Sequence, residues 1–463
     1  MKSVWNGECD IPERRSLHND MNIQIAVIGA GMAGILTAYF LQRKGLEVIV
    51  LEGDRIASGQ TQNTTAKVTS QHGLFYDKML KKAGSDRAEA YAWANESAIK
   101  DYEKIIKEEN IDCHFQRLPS YLYTTEEENV EKLRKEAKAA SSLGIRACYV
   151  EGDSIKELPF KIKGAVCFEN QAQFHPLKFM KHLAKKLEIY EKTKVISVRG
   201  NTIYTDKGKV NAEYIVFAAH YPFPVIPGFY FLRQHQERSY VFALKNQRKL
   251  SGIYYSIDQK GVSLRSAGIY LLLGGGNHRT GKKIDCQNEE YGYSFFKKKR
   301  AEYFPSSKIE YAWSAQDCMT HDHIPFIGKF SVFRPNWYVA TGFNKWGMTS
   351  AMIAANVISM QIYKEYTGFI VPKEHIGYLD YAKYLSPQRF LLQASFKNLA
   401  VDIKESICGL AKGLFSKKGQ KCRHMGCKLE WNPEEKSWDC PCHGSRFAQN
   451  GELLDHPAQT SLK

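Results

Sequence analysis

Residues 23–34 read Ile23-Gln24-Ile25-Ala26-Val27-Ile28-Gly29-Ala30-Gly31-Met32-Ala33-Gly34. A β-branched run with the character of a strand leads directly into three glycines with G-x-G-x-x-G spacing. The apolar residues 35–41 predict a buried helix, and the run 47–51 predicts a second strand that ends at Glu52. This order of strand, glycine turn, helix, strand and acid predicts a Rossmann-like α/β domain that binds a dinucleotide.

The three glycines have different physical tasks in such a loop. Gly29 permits the tight turn, Gly31 lets the backbone approach a pyrophosphate, and Gly34 lets helix and strand pack closely. Glu52 can accept hydrogen bonds from ribose hydroxyls. The alternative is a glycine-rich turn in an ordinary βαβ unit. The expected dinucleotide contacts of this loop are Gly29, Ala30, Gly31, Met32, Ala33, Gly34, Glu52 and Gly53.

A second glycine-rich segment lies far downstream. The predicted strand 337–340 leads into the turn 342–349, and a helix is predicted from Ser350 to about Lys364. The N-terminus of that helix is in position to face a bound ring or phosphate. Two nucleotide-facing segments from opposite ends of one domain favour FAD over NAD, and no other NAD(P) motif is visible. The alternative is a loop before a core helix.

The order of motifs resembles the D-amino-acid oxidase-like flavoproteins, the class of glycine oxidase and sarcosine oxidase. The matching segments are the Gly29–Gly34 loop with Glu52, then 59–67, 190–195, 214–219 and 322–328, ahead of Gly342 and Gly347. The resemblance implies that Val195 meets the adenine, that the Thr65 segment lies near the pyrophosphate, and that the turn 342–349 lies over the isoalloxazine. It adds to the expected FAD contacts Thr65, Lys67, Val195, Ala218, Gly342, Gly347, Met348 and Thr349.

The resemblance also implies an antiparallel, β-rich substrate domain inserted into a Rossmann-like FAD-binding domain of the glutathione-reductase type. The predicted boundaries are 1–85, 145–230 and 310–370 for the FAD-binding domain, 86–144 and 231–309 for the substrate domain, 371–415 for a helical connector, and 416–463 for a third domain.

The sequence does not identify catalytic residues. Oxidation of an amine by FAD requires orientation and electrostatics more than acid–base groups. A substrate carboxylate would need an arginine in fork geometry, although each candidate has a structural role as its alternative. The candidate arginines in the predicted substrate domain are Arg233, Arg238, Arg265 and Arg279, and His278 and His321 are further candidates. The spacing of Cys318 does not match the cysteine tether of sarcosine oxidases, so we expect non-covalent FAD.

Two short boxes near the end of the sequence each offer one cysteine and one histidine, and each carries a further cysteine. They read Cys422-Arg423-His424-Met425-Gly426-Cys427 and Cys440-Pro441-Cys442-His443-Gly444-Ser445. Two thiolates and two neutral imidazoles suit a [2Fe–2S] centre with one iron held by sulfur and the other by nitrogen. A tetrahedral structural zinc is the alternative.

The boxes resemble the Rieske [2Fe–2S] domain. The ligands that the resemblance implies are Cys422, His424, Cys440 and His443. It also implies a disulfide between Cys427 and Cys442, and a bond from Ser445 to a bridging sulfide. Phe447 stands where high-potential members have a tyrosine whose hydroxyl bonds a ligand sulfur. Without that bond, we expect a lower reduction potential of the cluster.

The scaffold around these ligands is short. Only residues 409–421 lie between the connector and the first box, and Asp455-His456-Pro457-Ala458 replaces the usual Gly-Pro-Ala. We therefore expect a small, truncated all-β Rieske domain that needs support from the flavin domain, or an inert remnant.

The amino-acid composition and net charge indicate which kinds of partner and location to expect. The 463 residues carry a net charge of +16, which favours an acidic electron-carrier protein, and no nucleic-acid motif accompanies the charge. No apolar run is long enough to span a bilayer, and the first twenty residues lack a signal-peptide pattern. Four of the eleven cysteines lie in the two boxes and the other seven show no pairing pattern, which indicates a cytoplasmic protein with one metal site.

These observations predict an FAD-dependent oxidoreductase that oxidises an amine or amino-acid-like substrate and passes electrons singly through the cluster to an acceptor. The alternatives are a redox relay or sensor without small-molecule turnover, and an oxygen-using oxidase with an inert cluster domain.

Overall fold

The computed structural model describes residues 2–224, 226–282, 292–368, 376–389, 400, 404, 411 and 420–462. Residues up to 389 form the large domain, and residues 420–462 form the small domain. The predicted connector 371–415 falls mostly outside the described residues. The described helices are α1 (Val4–Glu8), α2 (Met32–Arg43), α3 (Gln60–Asn63), α4 (Tyr76–Ala83), α5 (Ser85–Glu108), α6 (Val130–Ser142), α7 (Pro176–Ala184), α8 (Gly292–Tyr303), α9 (Gly347–Thr367) and α10 (Ile376–Leu385).

The first sheet of the large domain has a parallel centre. Its strands are β1 (Met21–Ile28), β2 (Val48–Leu51), β7 (Glu188–Tyr190), β8 (Val195–Arg199), β9 (Thr202–Thr205), β10 (Lys209–Phe217), β16 (Phe326–Ser331) and β17 (Arg334–Thr341). The main path runs β16-β17-β10-β1-β2-β7, and β8 and β9 form a hairpin beside β10. Strand β1 pairs in parallel with β10 and β2, and its residues 25–28 are all buried, as expected for a strand covered on both faces.

The two predicted nucleotide-facing segments reach the same edge of this sheet. Helix α2 follows the carboxyl end of β1, and helix α9 follows the carboxyl end of β17. Strands β17, β10 and β1 are parallel, so the N-termini of both helices lie at one edge. The predicted Rossmann-like α/β fold of the glutathione-reductase type is confirmed.

The second sheet is mainly antiparallel. Its strands are β3 (Lys67–Val68), β4 (Gln116–Thr124), β5 (Ala147–Glu151), β6 (Gly164–Gln173), β11 (Gln234–Lys245), β12 (Ile253–Ser256), β13 (Val262–Ala267), β14 (Tyr270–Arg279) and β15 (Lys308–Thr320). The order is β15-β11-β14-β13-β12-β4-β6-β3, with β5 beside β6. Strands β5, β6 and β15 therefore pair here, although 145–230 and 310–370 were assigned to the FAD-binding domain. The domain boundaries stay a prediction.

The small domain is a four-stranded antiparallel sheet. Its strands, in spatial order, are β18 (Glu430–Asn432), β19 (Ser437–Asp439), β20 (Arg446–Ala448) and β21 (Leu453–Asp455). Leu429, Phe447 and Ala458 form its small apolar core together with the four cysteines of the two boxes. The all-β character that the sequence predicts is confirmed.

Candidate functional site

A cavity of 620 Å³ lies at the edge where the two helix N-termini meet. Its wall comes from the glycine loop after β1, the end of β2, the start of β8, the end of β10 and the turn before α9. Eleven of the predicted FAD contacts line it: Gly29, Gly31, Met32, Ala33, Glu52, Gly53, Val195, Ala218, Gly342, Gly347 and Met348. The segments that were expected to meet at one dinucleotide line one cavity, and their contact with the cofactor stays a prediction.

The glycine loop has the geometry that a dinucleotide needs. Gly29 has a φ of +106°, and a Cβ atom there would lie 2.7 Å from the carbonyl oxygen of Ala218. A Cβ on Gly34 would lie 1.9 Å from the carbonyl oxygen of Gly29, so helix α2 packs against the loop without room for a side chain. A Cβ on Gly31 would meet only Thr61 Oγ1, at 3.4 Å. The first turn of α2 is therefore open toward the cavity, as a bound pyrophosphate requires.

Glu52 holds the loop as well as lining the cavity. Its carboxylate accepts hydrogen bonds from the backbone N–H of Ala30 at 2.7 Å and of Asp54 at 2.9 Å. Burial raises the pKa of Glu52, and the two backbone donors oppose that rise. The contact of Glu52 with a ribose stays a prediction.

Five predicted FAD contacts are not among the described residues that line the cavity, and their contact with the cofactor stays a prediction. The Thr65 carbonyl accepts a hydrogen bond from Arg265, and the Lys67 ammonium bonds to Ser263. Burial lowers the pKa of Lys67 to about 7. These five residues are Ala30, Gly34, Thr65, Lys67 and Thr349.

The sequence interpretation missed a partly buried ion cluster at the cavity wall. The ammonium of Lys345 lies 3.0 Å from Glu237 and 3.5 Å from Asp317, and Lys345 and Asp317 line the cavity. Burial opposes the charge, but the two carboxylates outweigh it and raise the pKa of Lys345. Lys345 is the one charged residue of the turn 342–349, which was the available signal.

The arginines considered for a substrate carboxylate have structural roles. Arg265 is buried and donates from Nη1 to the carbonyls of Thr65 and Ala66, both at 2.7 Å. Arg233 donates to the carbonyl of Pro387 and lies over the ring of Phe326. None of the four candidates is among the described residues that line the cavity.

The other two arginines hold the small domain. Arg238 is buried and binds the carboxylate of Glu435 through Nε at 3.1 Å and Nη2 at 2.5 Å. Arg279 donates to the carbonyls of Pro441 and Cys442 at 3.2 and 3.4 Å. Neither histidine candidate lines the cavity: His278 stacks on Tyr240, and His321 contacts the carbonyl of Leu232.

The two cysteine–histidine boxes fold into equivalent turns. In the first, the N–H of Gly426 bonds the carbonyl of Cys422 at 2.9 Å; in the second, the N–H of Gly444 bonds the carbonyl of Cys440 at 3.0 Å. Both glycines have a φ of +81°, which favours glycine. The first turn precedes β18 and the second lies between β19 and β20, and the fold brings the two turns together.

The donor atoms of the boxes converge. Nδ1 of His424 lies 3.2 Å from Nδ1 of His443, and burial lowers the pKa of His424 to about 4, so its imidazole is neutral as a metal ligand must be. The four cysteines are buried. Two imidazoles that face each other, above a core that holds the cysteines of both boxes, fit a [2Fe–2S] cluster; the assignment of the individual ligands stays a prediction.

The predicted disulfide is not formed in this structure. No bond joins Cys427 to Cys442, although their sulfurs and that of Cys440 all lie within 4.8 Å of one another. The bond therefore stays a prediction. Ser445 accepts a hydrogen bond at Oγ from the N–H of Ala458, 2.9 Å away, and Phe447 is buried in the small core.

The second box packs directly against the large domain. Gln236 Nε2 donates to the carbonyl of His443 at 2.7 Å, and Gln316 Nε2 donates to the carbonyl of Gly444 at 2.9 Å. A Cβ on Gly444 would lie 2.7 Å from the Cβ of Gln236. The large domain thus supplies hydrogen bonds and close packing to the second box.

A buried ion network strengthens this interface. Glu435 of the small domain lies between Arg238 of the large domain and Arg446 of its own sheet. Burial alone would raise the pKa of Glu435, but the two arginines lower it to about 2. Asp455 also faces both arginines. The paired charges and their hydrogen bonds compensate for the desolvation of this interface.

Among the described helices, none combines the length and the apolar character that crossing a bilayer requires.

The model of the FAD dependent oxidoreductase (DAO) family matches residues 24–360, and the model of the Rieske [2Fe-2S] domain matches residues 407–463. The chain is 34% identical to the "Putative Rieske 2Fe-2S iron-sulfur protein YhfW" of Bacillus subtilis, over 100% of this chain and 97% of that protein. Among solved structures, it is similar to L-proline dehydrogenase from P. horikoshii, with a TM-score of 0.64, 17% identity, and coverage of 80% of this chain and 98% of that one. Glycine oxidase from Geobacillus kaustophilus also has a TM-score of 0.64, with 16% identity and coverage of 80% and 99%. The fold, the glycine loop and the converging cysteine–histidine turns agree with both family models, and the chain belongs to the FAD dependent oxidoreductase family and carries a Rieske [2Fe–2S] domain.

Proposed function

We propose that this oxidoreductase oxidises an amine or amino-acid-like substrate at FAD and passes the electrons singly through the Rieske cluster to an acceptor protein. The observation that carries the proposal is a hydrogen-bonded connection between the two sites. Gln236 donates to the carbonyl of His443, and its Oε1 accepts from His220 Nε2 at 3.2 Å. His220 lines the cavity. One buried side chain therefore joins a proposed cluster ligand to the wall of the flavin site.

The cluster end of this path is proposed to consist of Cys422, His424, Cys440 and His443. When bound, FAD would accept a hydride from the substrate, and the cluster would transfer single electrons. The residues of the chain orient and tune these groups. Lys345, held by Glu237 and Asp317, places a partly buried positive charge at the cavity wall, where it would stabilise negative charge on a reduced ring.

The substrate class is supported by the fold. Two similar structures bear the names L-proline dehydrogenase and glycine oxidase, which are enzymes of amino acids. The chain departs from a simple amino-acid site in one respect: the four arginines considered for a carboxylate are engaged elsewhere. An amine whose carboxylate is absent or bound by another group fits this wall.

The same engagement of the arginines favours a second candidate function, a redox relay without small-molecule turnover. One anaerobic experiment separates the two. The purified protein is mixed with a panel of amines and amino acids while flavin absorbance is followed, and then with a reduced carrier protein. Bleaching by a small molecule supports the enzyme. Bleaching by the reduced carrier alone contradicts it and supports the relay.

The cluster's participation is tested with Cys440→Ser. If electrons leave through the cluster, this variant should bleach with substrate but fail to reduce the acceptor protein. Peroxide production in oxygen that is equal in the variant and the wild type, with acceptor reduction unchanged, would instead indicate an oxygen-using oxidase. Iron and acid-labile sulfide analysis of the wild type confirms the loading of the cluster.

The FAD is proposed to be non-covalent, and the acceptor to be an acidic protein. Cys318 lies in the cavity wall, 3.5 Å from His220 Nε2, and burial raises the pKa of its thiol, which disfavours the nucleophilic thiolate. Flavin that stays with the polypeptide after acid precipitation would contradict this. The net charge of +16 supports an acidic acceptor, in which case acceptor reduction should slow steeply with added salt. A cytoplasmic location belongs to the same proposal and is tested by cell fractionation.

A further inference from the structure

The small domain forms part of the wall of the flavin cavity. Residues 452–456, which include strand β21, line the cavity together with Gln459 and Ser461. We name this stretch, residues 452–461, the capping segment. It belongs to the Rieske domain by sequence, yet it faces the same cavity as the glycine loop of the large domain. A wall built from two domains is complete only when the domains are docked.

The capping segment is held over the dinucleotide end of the cavity. Lys194 donates from Nζ to the carbonyl of Gln459, and Gln60 Nε2 donates to Asp455 Oδ1 at 3.2 Å. Lys194 directly precedes Val195, the residue expected to meet the adenine. Gln60 is the first residue of α3, beside the glycine loop. The two contacts therefore fix the segment against the cavity wall expected to hold the adenosine and pyrophosphate.

A third contact fixes the segment from the cluster side. Gln236 Nε2, which bonds the carbonyl of His443, also donates to the carbonyl of His456 at 3.0 Å. Asp455 in the segment binds Arg446 of its own sheet at 2.9 Å and lies 3.6 Å from Arg238. The position of the segment is thus determined by the same side chains that dock the cluster turn.

We propose that the capping segment is a flavin-binding element, so that FAD retention and docking of the Rieske domain are thermodynamically linked. Bound FAD stabilises the docked domain, and docking in turn slows the release of FAD, because linkage between two binding events is reciprocal. This link would allow the protein to keep the cluster at the flavin only when the flavin is present. The inference uses FAD binding alone, so a failed search for an amine substrate leaves it intact.

The experiment compares two acid-to-arginine variants of the full-length holoprotein. Asp455→Arg places a cation beside Arg446 and Arg238 and should expel the segment from the cavity. Glu430→Arg is the matched control, because Glu430 lies in β18, the opposite edge strand of the same sheet. FAD release is followed by the rise of flavin fluorescence after dilution, with iron content and the EPR signal of the reduced cluster as checks on the small domain.

Asp455→Arg should release FAD faster by about tenfold or more with its cluster signal retained, while Glu430→Arg should release it at the wild-type rate. Equal release from Asp455→Arg and the wild type would overturn the proposal.

If Asp455→Arg does not fold, hydrogen exchange of the wild-type chain decides the question. The peptide covering residues 452–462 should exchange faster after FAD is removed, and equal exchange with and without FAD would overturn the proposal.

Discussion

The amide of Gln236 donates a 2.7 Å hydrogen bond to the main-chain carbonyl of His443. Gln236 lies in β11 of the large domain, and His443 lies in the second cysteine–histidine turn of the small domain. The side chain is buried, with every polar atom bonded: its Oε1 accepts from both His220 and Gln316. A satisfied buried network of this kind fixes one docking geometry, because any shift leaves a polar atom without a partner.

Replacing Gln236 should weaken the connection between flavin and cluster. Gln236→Leu leaves buried carbonyls unpaired, at a cost of about 1–3 kcal/mol each, which corresponds to on the order of tenfold or more in the docked fraction. Cluster reduction after anaerobic photoreduction of the flavin should slow accordingly in stopped-flow measurements. Gln247→Leu, beyond the end of the same strand, is the control. Wild-type rates in Gln236→Leu would show that the contact does not matter for transfer.

Two glycines of the FAD loop should respond differently to alanine. A Cβ on Gly34 would overlap the carbonyl of Gly29 at 1.9 Å, so Gly34→Ala should lower the free energy of unfolding by about 1–3 kcal/mol or more. Gly31 has room at 3.4 Å from Thr61, so Gly31→Ala should keep its stability without FAD but bind FAD more weakly. Thermal unfolding and FAD titration of both variants check this; the opposite order would contradict the assigned roles.

Lys345 should set the flavin potential. Lys345→Met removes the positive charge and leaves the partly exposed carboxylates of Glu237 and Asp317 without it, so the protein should lose about 1 kcal/mol or more of stability and the flavin midpoint potential should fall. The double variant Lys345→Met/Glu237→Gln should recover stability but keep the low potential. Spectroelectrochemical titration separates the two effects, and an unchanged potential in both variants would show that the cation does not act on the flavin.

Acid should weaken the interface through Glu435. Its pKa is about 2 in the folded protein, below the ordinary value of 4.5, so its contribution to stability is complete above about pH 5 and is lost as pH falls toward 2. Glu435→Gln should be less stable by about 2–4 kcal/mol at pH 7 and should lose less stability than the wild type between pH 5 and 3. Chemical denaturation across this pH range measures both; parallel pH profiles would contradict the pairing.

The predicted disulfide between Cys427 and Cys442 can be tested by alkylating the unfolded protein. If Cys427 and Cys442 are bonded in the mature protein, neither should react with an alkylating reagent after unfolding without reductant. Cys427→Ser should then expose Cys442 to the reagent and lower the melting temperature, because the link between the two turns is lost. Cys113→Ser, a buried cysteine outside the small domain, is the control. Alkylation of both thiols in the unreduced wild type would show that no bond forms.

Short sequence motifs predicted the glycine loop and the two cysteine–histidine turns, because each depends on residues that are close together in the sequence. The glycine spacing from Gly29 to Gly34 determines the backbone of one turn, and that turn appears as expected at the end of β1. The two boxes likewise give twin turns, because Gly426 and Gly444 adopt the same positive φ. The sequence missed Lys345 and left open whether Arg238 and Arg279 bind a substrate or have structural roles, since nothing local shows which distant group a charged side chain meets.

By itself, the sequence determined the dinucleotide fold and the ligand chemistry, because both depend on residue types at short spacing. Only the tertiary structure decided how the two cofactor sites are joined. Arg238 meets Glu435 and Gln60 meets Asp455 across separations of 197 and 395 residues. Such contacts arise when folded surfaces dock, and their energy depends on burial and partner geometry that no short stretch of sequence records.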